Sequence, residues 1–130
     1  NKKPVHLLGI GDPPDIWNLV KLGIDTFDCV IPTRLARHGA ALMKTKTGKI
    51  NIKNSNYKED LLPIDENCNC ITCNNYSKSY LHHLFKSDEM LGFQLITIHN
   101  IYFMNTLMDY IRKAINNDSF EEAKKQWYLD

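Results

Sequence analysis

Cys68-Asn69-Cys70-Ile71-Thr72-Cys73 gathers three of the chain's four cysteines into six residues. No other stretch restricts the fold as strongly. Thiolates on the two sides of a tight turn can meet one zinc ion at about 2.3 Å. Stray or buried thiols give no reason for such close spacing. A disulfide framework would leave one of the three unpaired, and nothing marks the chain as secreted. The pattern therefore predicts a metal knuckle, and a closed structural site needs a fourth ligand. The candidates are Cys29, His6, His38, His82, His83 and His99. Neighbouring helical residues point about 100° apart, so His82 and His83 offer at most one ligand between them. His99, at the start of an expected long helix, would pin that helix to the loop. Spacing leaves His99, the His82–His83 pair and Cys29 open.

Charge supplies a second constraint. The segment from Arg34 to Lys58 carries Arg34, Arg37, Lys44, Lys46, Lys49, Lys53 and Lys58 and no Asp or Glu. All fifteen acidic residues lie elsewhere, so the net charge of +1 hides a basic segment in an acidic chain. Such a segment is either the footprint of a polyanion or a solvated hairpin with lysines on its wet face. The remainder of the composition, 43% hydrophobic and 24% charged over 130 residues, is that of a soluble globular protein. No apolar run approaches the roughly 20 residues of a membrane helix. Asn1-Lys2-Lys3-Pro4 does not open a signal peptide and reads as cut from something longer. Thiols reserved for metal then suggest the cytoplasm.

In chain order, Val5–Ile10 is a short apolar run that reads as a buried strand. Asp12-Pro13-Pro14-Asp15 reads as a helix start, with Asp12 as cap and Pro13 in the first turn. Gly23 stops that helix, with Ile24 placed for the contact that follows such a cap. Asp25–Ile31 reads as a second strand, ended by Pro32. Strand, helix, strand with tight connections is a βαβ unit of a parallel sheet, whose other strands are expected upstream of Asn1. Asp28 is out of place in a buried strand. It is either satisfied by neighbouring N–H groups or a catalytic carboxylate at the carboxyl end of a parallel strand. Further on, Leu42 to Lys53 predicts an antiparallel hairpin turning at Lys44–Gly48. A short helix is expected over Tyr76–Phe85. A long one is expected from about Thr97 to Asn116, with Ile101, Met104, Leu107, Met108, Ile111 and Ile115 as its apolar stripe. Ser119-Phe120-Glu121-Glu122 reads as a capping box opening a last helix to about Tyr128.

Phe27-Asp28-Cys29-Val30-Ile31-Pro32-Thr33-Arg34, then Ala36-Arg37 and Gly39, then Cys68-x-Cys70-x-x-Cys73 and Thr97-Ile98-His99-Asn100, together resemble the C-terminal third of tRNA-guanine transglycosylases. The resemblance runs from Leu8-Gly9-Ile10-Gly11 to Phe120 and leans toward bacterial members, which insert a queuosine precursor base. It implies an α/β fold: the last βαβ part of a (β/α)8 TIM barrel (residues 1–40), a zinc-binding α+β insertion (41–100) and C-terminal helices on the barrel (101–130). It implies a structural Zn2+ on Cys68, Cys70, Cys73 and His99, and Asp28 as nucleophile. It implies Leu8 and Gly9 at the bound base. Gly9, Ile10, Gly11, Asp12, Pro13, Pro14 and Asp15, with Thr33, Arg34, Leu35, Ala36 and Arg37, would hold the tRNA anticodon loop. A 7-deazaguanine-type base as second substrate and a homodimer are also implied. Asp25 faces away from Asp28 by strand alternation, so a second acid/base carboxylate is expected upstream, and the 130 residues alone are not expected to exchange bases. The competing expectations are a non-catalytic tRNA-binding or partner-subunit module and a plain zinc-stabilised domain.

Overall fold

The structure is a computed structural model that describes residues 3–129. Asn1 and Lys2, part of the amino-terminal stretch discussed above, lie outside the described residues, as does Asp130. Strand β1 (His6–Leu8) pairs in parallel with β2 (Thr26–Asp28), and helix α1 (Pro13–Lys21) makes the crossover. Helix α2 (Ile31–Arg37) follows at once. A hairpin of β3 (Ala40–Leu42) and β4 (Lys49–Asn51) comes next, antiparallel, with the register Ala41 to Ile50. The knuckle runs into α3 (Ile71–Asn75), which holds Cys73; α4 (Lys78–Lys86) follows, and α5 (Met90–Asn116) and α6 (Phe120–Trp127) complete the described chain.

The βαβ unit forms where the sequence predicts it, with three differences. The strands are shorter than expected. They are also open rather than buried, with Leu8 69% exposed and Asp28 exposed, because two short strands present a sheet face that no other described residue covers. Asp12 holds the N-cap position of α1 without a side-chain hydrogen bond, while Pro13 sits in the first turn, where its missing N–H costs nothing. Gly23 does end the helix, at φ 96°. Its N–H reaches the Val20 carbonyl and that of Ile24 reaches Leu19, the paired bonds of a Schellman cap. Pro32 does more than end a strand: it lies in the first turn of α2, a helix the apolar pattern had hidden. A proline fixes φ at a helical value and needs no acceptor there, so Ile31-Pro32 opens a helix as readily as it closes a strand.

Two hydrophobic cores share α5. One joins Ala36, Ala41, Ile52, Ile64, Leu81, Leu84 and Phe85 to Leu95 and Ile96. The other joins Ile16, Trp17, Leu42, Ala123 and Trp127 to Phe103, Leu107, Ile111 and Ala114. Helix α5 therefore starts seven residues before the expected Thr97, directly after a turn in which Asp88 takes φ 52°. Gly92 and β-branched Thr97 and Ile98 weaken the local signal there, and packing of Leu95 and Ile96 overrides it. The expected stripe is also rotated: Leu107 and Ile111 are buried, Ile101 and Ile115 are about half exposed, and Phe103 and Ala114 take the inward places. Residue 100 lies inside this continuous helix. Ser119 stands before α6, but its hydroxyl bonds the Ala114 carbonyl, so no capping box forms. Among the described residues no helix is long and apolar enough to cross a membrane.

Candidate metal centre and active-site edge

The knuckle is built by local turns that leave the thiols pointing inward. Asp65 accepts the Asn67 N–H and starts the turn. Cys70 is the N-cap of α3, and its sulfur accepts the Cys73 N–H at 3.3 Å. A thiolate suits that position, because helix N-terminal amides favour negative charge. Thr72 is buried and donates its hydroxyl to the Leu95 carbonyl, which holds α3 against α5.

His99 closes the group. Its Nδ1 lies 3.4 Å from Cys73 Sγ and 3.7 Å from both Cys68 and Cys70 Sγ. Sulfur and nitrogen bound at about 2.3 and 2.05 Å to one tetrahedral ion would stand about 3.5 Å apart. The four donors therefore fit a single tetrahedral metal. The imidazole is fully buried, in the third turn of α5 rather than at its start, and its Nε2 lies 2.8 Å from the Leu42 carbonyl. With the proton on Nε2, that carbonyl fixes the ring and leaves the Nδ1 lone pair free for the metal. The other ligand candidates are elsewhere. His82 Nδ1 is engaged with the Ile52 carbonyl, His6, His38 and His83 are exposed, and Cys29 accepts the Ile31 N–H.

Without a cation the cluster must hold protons, since three thiolates this close repel. Hydrogen bonds from Cys68 and Cys73 hold the Cys70 thiol far below its usual range, and bonds to Cys68 and Cys70 push Cys73 far above it. Burial pulls the His99 imidazole down. The bonds to Cys68 and Cys70 and the Leu42 carbonyl outweigh it and lift the ring to about 10. A divalent metal replaces those protons and satisfies all four donors at once.

The second candidate site is the open end of the β1–β2 pair. Leu8 and Asp28 are register partners, so their side chains share one face. Below them His6 Nδ1 meets the Thr26 hydroxyl at 2.7 Å on the same face. The Asp28 carbonyl accepts the Gly9 N–H at 2.7 Å, and Gly9 takes φ 75°, so the chain turns away at once. The Asp28 carboxylate itself has no hydrogen-bond partner among the described residues. Asp25 is occupied differently, accepting the Val5 N–H at 2.7 Å. Gly11 is buried against Cys29, where an added Cβ would stand 2.5 Å from the Cys29 Cβ.

The remaining expected contacts divide by exposure. Ile10, Pro14, Asp15, Arg34 and Arg37 are exposed, Asp12, Thr33 and Leu35 are half-buried, and Pro13 and Ala36 are buried. Of the α2 side chains, the two arginines stand in solvent, and Thr33 bonds the Val30 carbonyl. Asp12, Pro14 and Asp15 line a groove of about 490 Å³ with Lys46, Lys49 and Tyr128, so the loop after β1 and the basic hairpin share one surface. Burial, then Asp15, raises the Asp12 carboxyl, against the pull of Lys49. Sequence reasoning missed Asn100, which is fully buried beside His99. Its polarity inside an apolar helix stripe was the available signal.

The family described as queuine tRNA-ribosyltransferase matches residues 1–130. The chain belongs to this family. A queuine tRNA-ribosyltransferase of Clostridium acetobutylicum is 51% identical over 124 residues, covering 95% of this chain and 32% of its own length. The Dictyoglomus turgidum protein of that name is 48% identical over 129 residues, 99% of this chain and 33% of its own. One from Dehalococcoides mccartyi is 50% identical over 122 residues. The chain thus spans about a third of the length of the curated relatives it matches.

Proposed function

We propose that this chain is the nucleophile-bearing, metal-containing part of a tRNA-guanine transglycosylase. That enzyme would exchange guanine at the tRNA wobble position for a 7-deazaguanine queuosine precursor. The observation that carries the reading is the pairing of Leu8 with Asp28. A carboxylate with no partner among the described residues stands beside an apolar side chain at the carboxyl end of two parallel strands, where α/β barrels keep their chemistry. In this reading β1 and β2 are the last strands of a (β/α)8 barrel, residues 41–100 are its metal-binding insertion and 101–130 its C-terminal helices.

The reaction uses two displacements. An Asp28 carboxylate oxygen attacks C1′ of the flipped guanosine while the C1′–N9 bond breaks and guanine leaves with that electron pair. N9 of the incoming base then attacks C1′, and the carboxylate leaves with the electrons of its ester bond. Two inversions keep the configuration. Proton transfer to the departing guanine and from the incoming base requires a second group outside this chain, so the 130 residues alone would not turn over. Leu8 and Gly9 would face the base. Arg34 and Arg37, with the groove beside Lys46 and Lys49, would grip the backbone of the loop while the base is out of its stack.

The ion is proposed to be zinc, held by Cys68, Cys70, Cys73 and His99. Four protein donors leave no open position, so zinc would supply structure rather than a Lewis acid at the substrate. A reducing cytoplasm suits the free thiols, and a homodimer is the proposed assembly. In the complete protein, a wobble-guanosine tRNA should form a denaturant-resistant adduct that Asp28→Ala abolishes. An adduct that survives the change would remove Asp28 from the role. Affinity for tRNA should fall steeply with salt, and salt-independent binding would argue against a phosphate-gripping surface.

A further inference from the structure

Asn100 is fully buried and every polar atom of its side chain is engaged. The amide oxygen accepts the Leu42 N–H at 2.9 Å, and the amide nitrogen donates to the Pro32 carbonyl at 2.9 Å and the Ala40 carbonyl at 3.0 Å. These three bonds join α5 to the first turn of α2 and to β3. The preceding residue is the metal ligand His99, whose other nitrogen holds the Leu42 carbonyl. Leu42 therefore has both backbone groups held by consecutive residues of one helix, and α2 is tied to the same point.

We infer that Asn100 is a positioning residue for RNA binding, which clamps α2 onto the metal-anchored turn of α5 and so sets where Arg34 and Arg37 stand. The physical reason lies in the elements themselves. Helix α2 has only seven residues, too few to be stable by itself. Ala36 and half-buried Leu35 anchor its inner face by apolar contact, which is not directional and holds rotation about the helix axis less firmly than hydrogen bonds do. Two hydrogen bonds donated to carbonyls at the start and just past the end of α2 fix that rotation. The adjoining metal ligand keeps the Asn100 backbone from shifting. Metal occupancy and the aim of the arginines are thereby linked through one turn of helix, although neither arginine touches the knuckle.

The inference rests on the reading that α2 grips tRNA, and the test separates the two. The complete protein is used, with a wobble-guanosine tRNA transcript as probe. Asn100→Asp keeps the acceptor for Leu42 and removes both donated bonds. Arg34→Ala should weaken tRNA binding about tenfold, the scale of one charged hydrogen bond. In the Asn100→Asp background the same change should cost less than about threefold, because the arginine no longer stands at its phosphate. An additive cycle, with the full loss in both backgrounds, overturns the role of Asn100 and leaves the RNA reading intact. No loss from Arg34→Ala in the otherwise unchanged protein overturns both. If Asn100→Asp does not fold, amide hydrogen exchange of the unmodified protein decides. Chelating the metal should speed exchange at Thr33–Arg37 as well as in the knuckle, and unchanged exchange in α2 overturns the link.

Discussion

The metal end and the strand end of this molecule are built on opposite plans. Around His99 each donor has a partner. Three sulfurs face one ring nitrogen, the other nitrogen faces a carbonyl, and Thr72 bonds the neighbouring helix. Around Asp28 little is satisfied: the carboxylate has no partner among the described residues and Leu8 stands 69% exposed beside it. A closed polar cluster contributes rigidity and has no room for a substrate. An open carboxylate contributes little to folding and is available for chemistry. The difference teaches that the most recognisable motif need not be the reacting one. The knuckle organises the chain, while the proposed chemistry lies some forty residues earlier.

The sharpest way to break this comparison is to remove one residue from each end. In the complete protein, Asp28→Asn should lower turnover by at least about 10⁴-fold, the scale seen when a nucleophile or its partner is lost. In the 130-residue chain the same change should leave the thermal midpoint where it was, since a group exposed there with no partner among the described residues contributes within about 0.5 kcal/mol to stability. Steady-state kinetics beside calorimetry would show whether the two ends are this independent.

Cys73→Ala should do the reverse. Metal analysis should find the ion lost, and the melting transition should move down by the several kcal/mol that a structural metal contributes, with an apparent binding free energy of about 10 kcal/mol or more at stake. A variant that kept one equivalent of metal with unchanged affinity would mean that the four-donor reading is wrong.

An intermediate case is Gly11→Ala. The new methyl would collide with the Cys29 side chain, which cannot retreat without moving the residue next to Asp28. Overpacking of this kind costs about 1–3 kcal/mol, and denaturant unfolding would measure it. A loss of turnover larger than the loss of stability would show that the spacing between the two loops sets the carboxylate's position.

Acidity separates the metal-bound and metal-free forms by sign. Protons compete with the metal for three thiolates and for His99 Nδ1, so the loaded protein should lose stability as pH falls. Without metal the His99 ring is raised to about 10 by its sulfur partners. Its contribution is then complete below about 6.5, the free imidazole value, and is lost as pH rises through about 10. Thermal melts with and without chelator should therefore slope in opposite directions, and parallel slopes would rule out the cluster as the source. The smallest effect should come from Lys21→Ala. The Lys21–Glu121 pair joins α1 to α6 at side chains more than half exposed, where solvent and salt screen the attraction and leave it little weight in stability.

Much of this molecule was legible in the chain. The three cysteines announced a metal, the proline and glycine around α1 marked its ends, and the alternation after Gly48 marked the hairpin. Asp28 stood out because a carboxylate does not belong in an apolar strand. What stayed hidden depended on contacts between distant segments. Helix α2 was masked by an apolar run and a proline that serve a strand end equally well. The early start of α5 was masked by Gly92 and β-branched residues that only packing could outweigh. From the residues alone the fourth ligand stayed open among His99, the His82–His83 pair and Cys29.

Sequence by itself determined the local chemistry: which side chains can be thiolates, where a chain must turn, and which carboxylate is misplaced. These properties belong to single residues and their near neighbours, so spacing can reveal them. Tertiary structure decided what spacing left open: that the histidine meeting the thiols is His99, the one the family resemblance implied, which face of α5 turns inward, and that Leu42 is gripped by His99 and Asn100 together. The pairings with His99 and Asn100 span 26 to 58 residues, and periodicity carries no information over such distances. They are settled by which buried polar groups can find partners once the cores have closed.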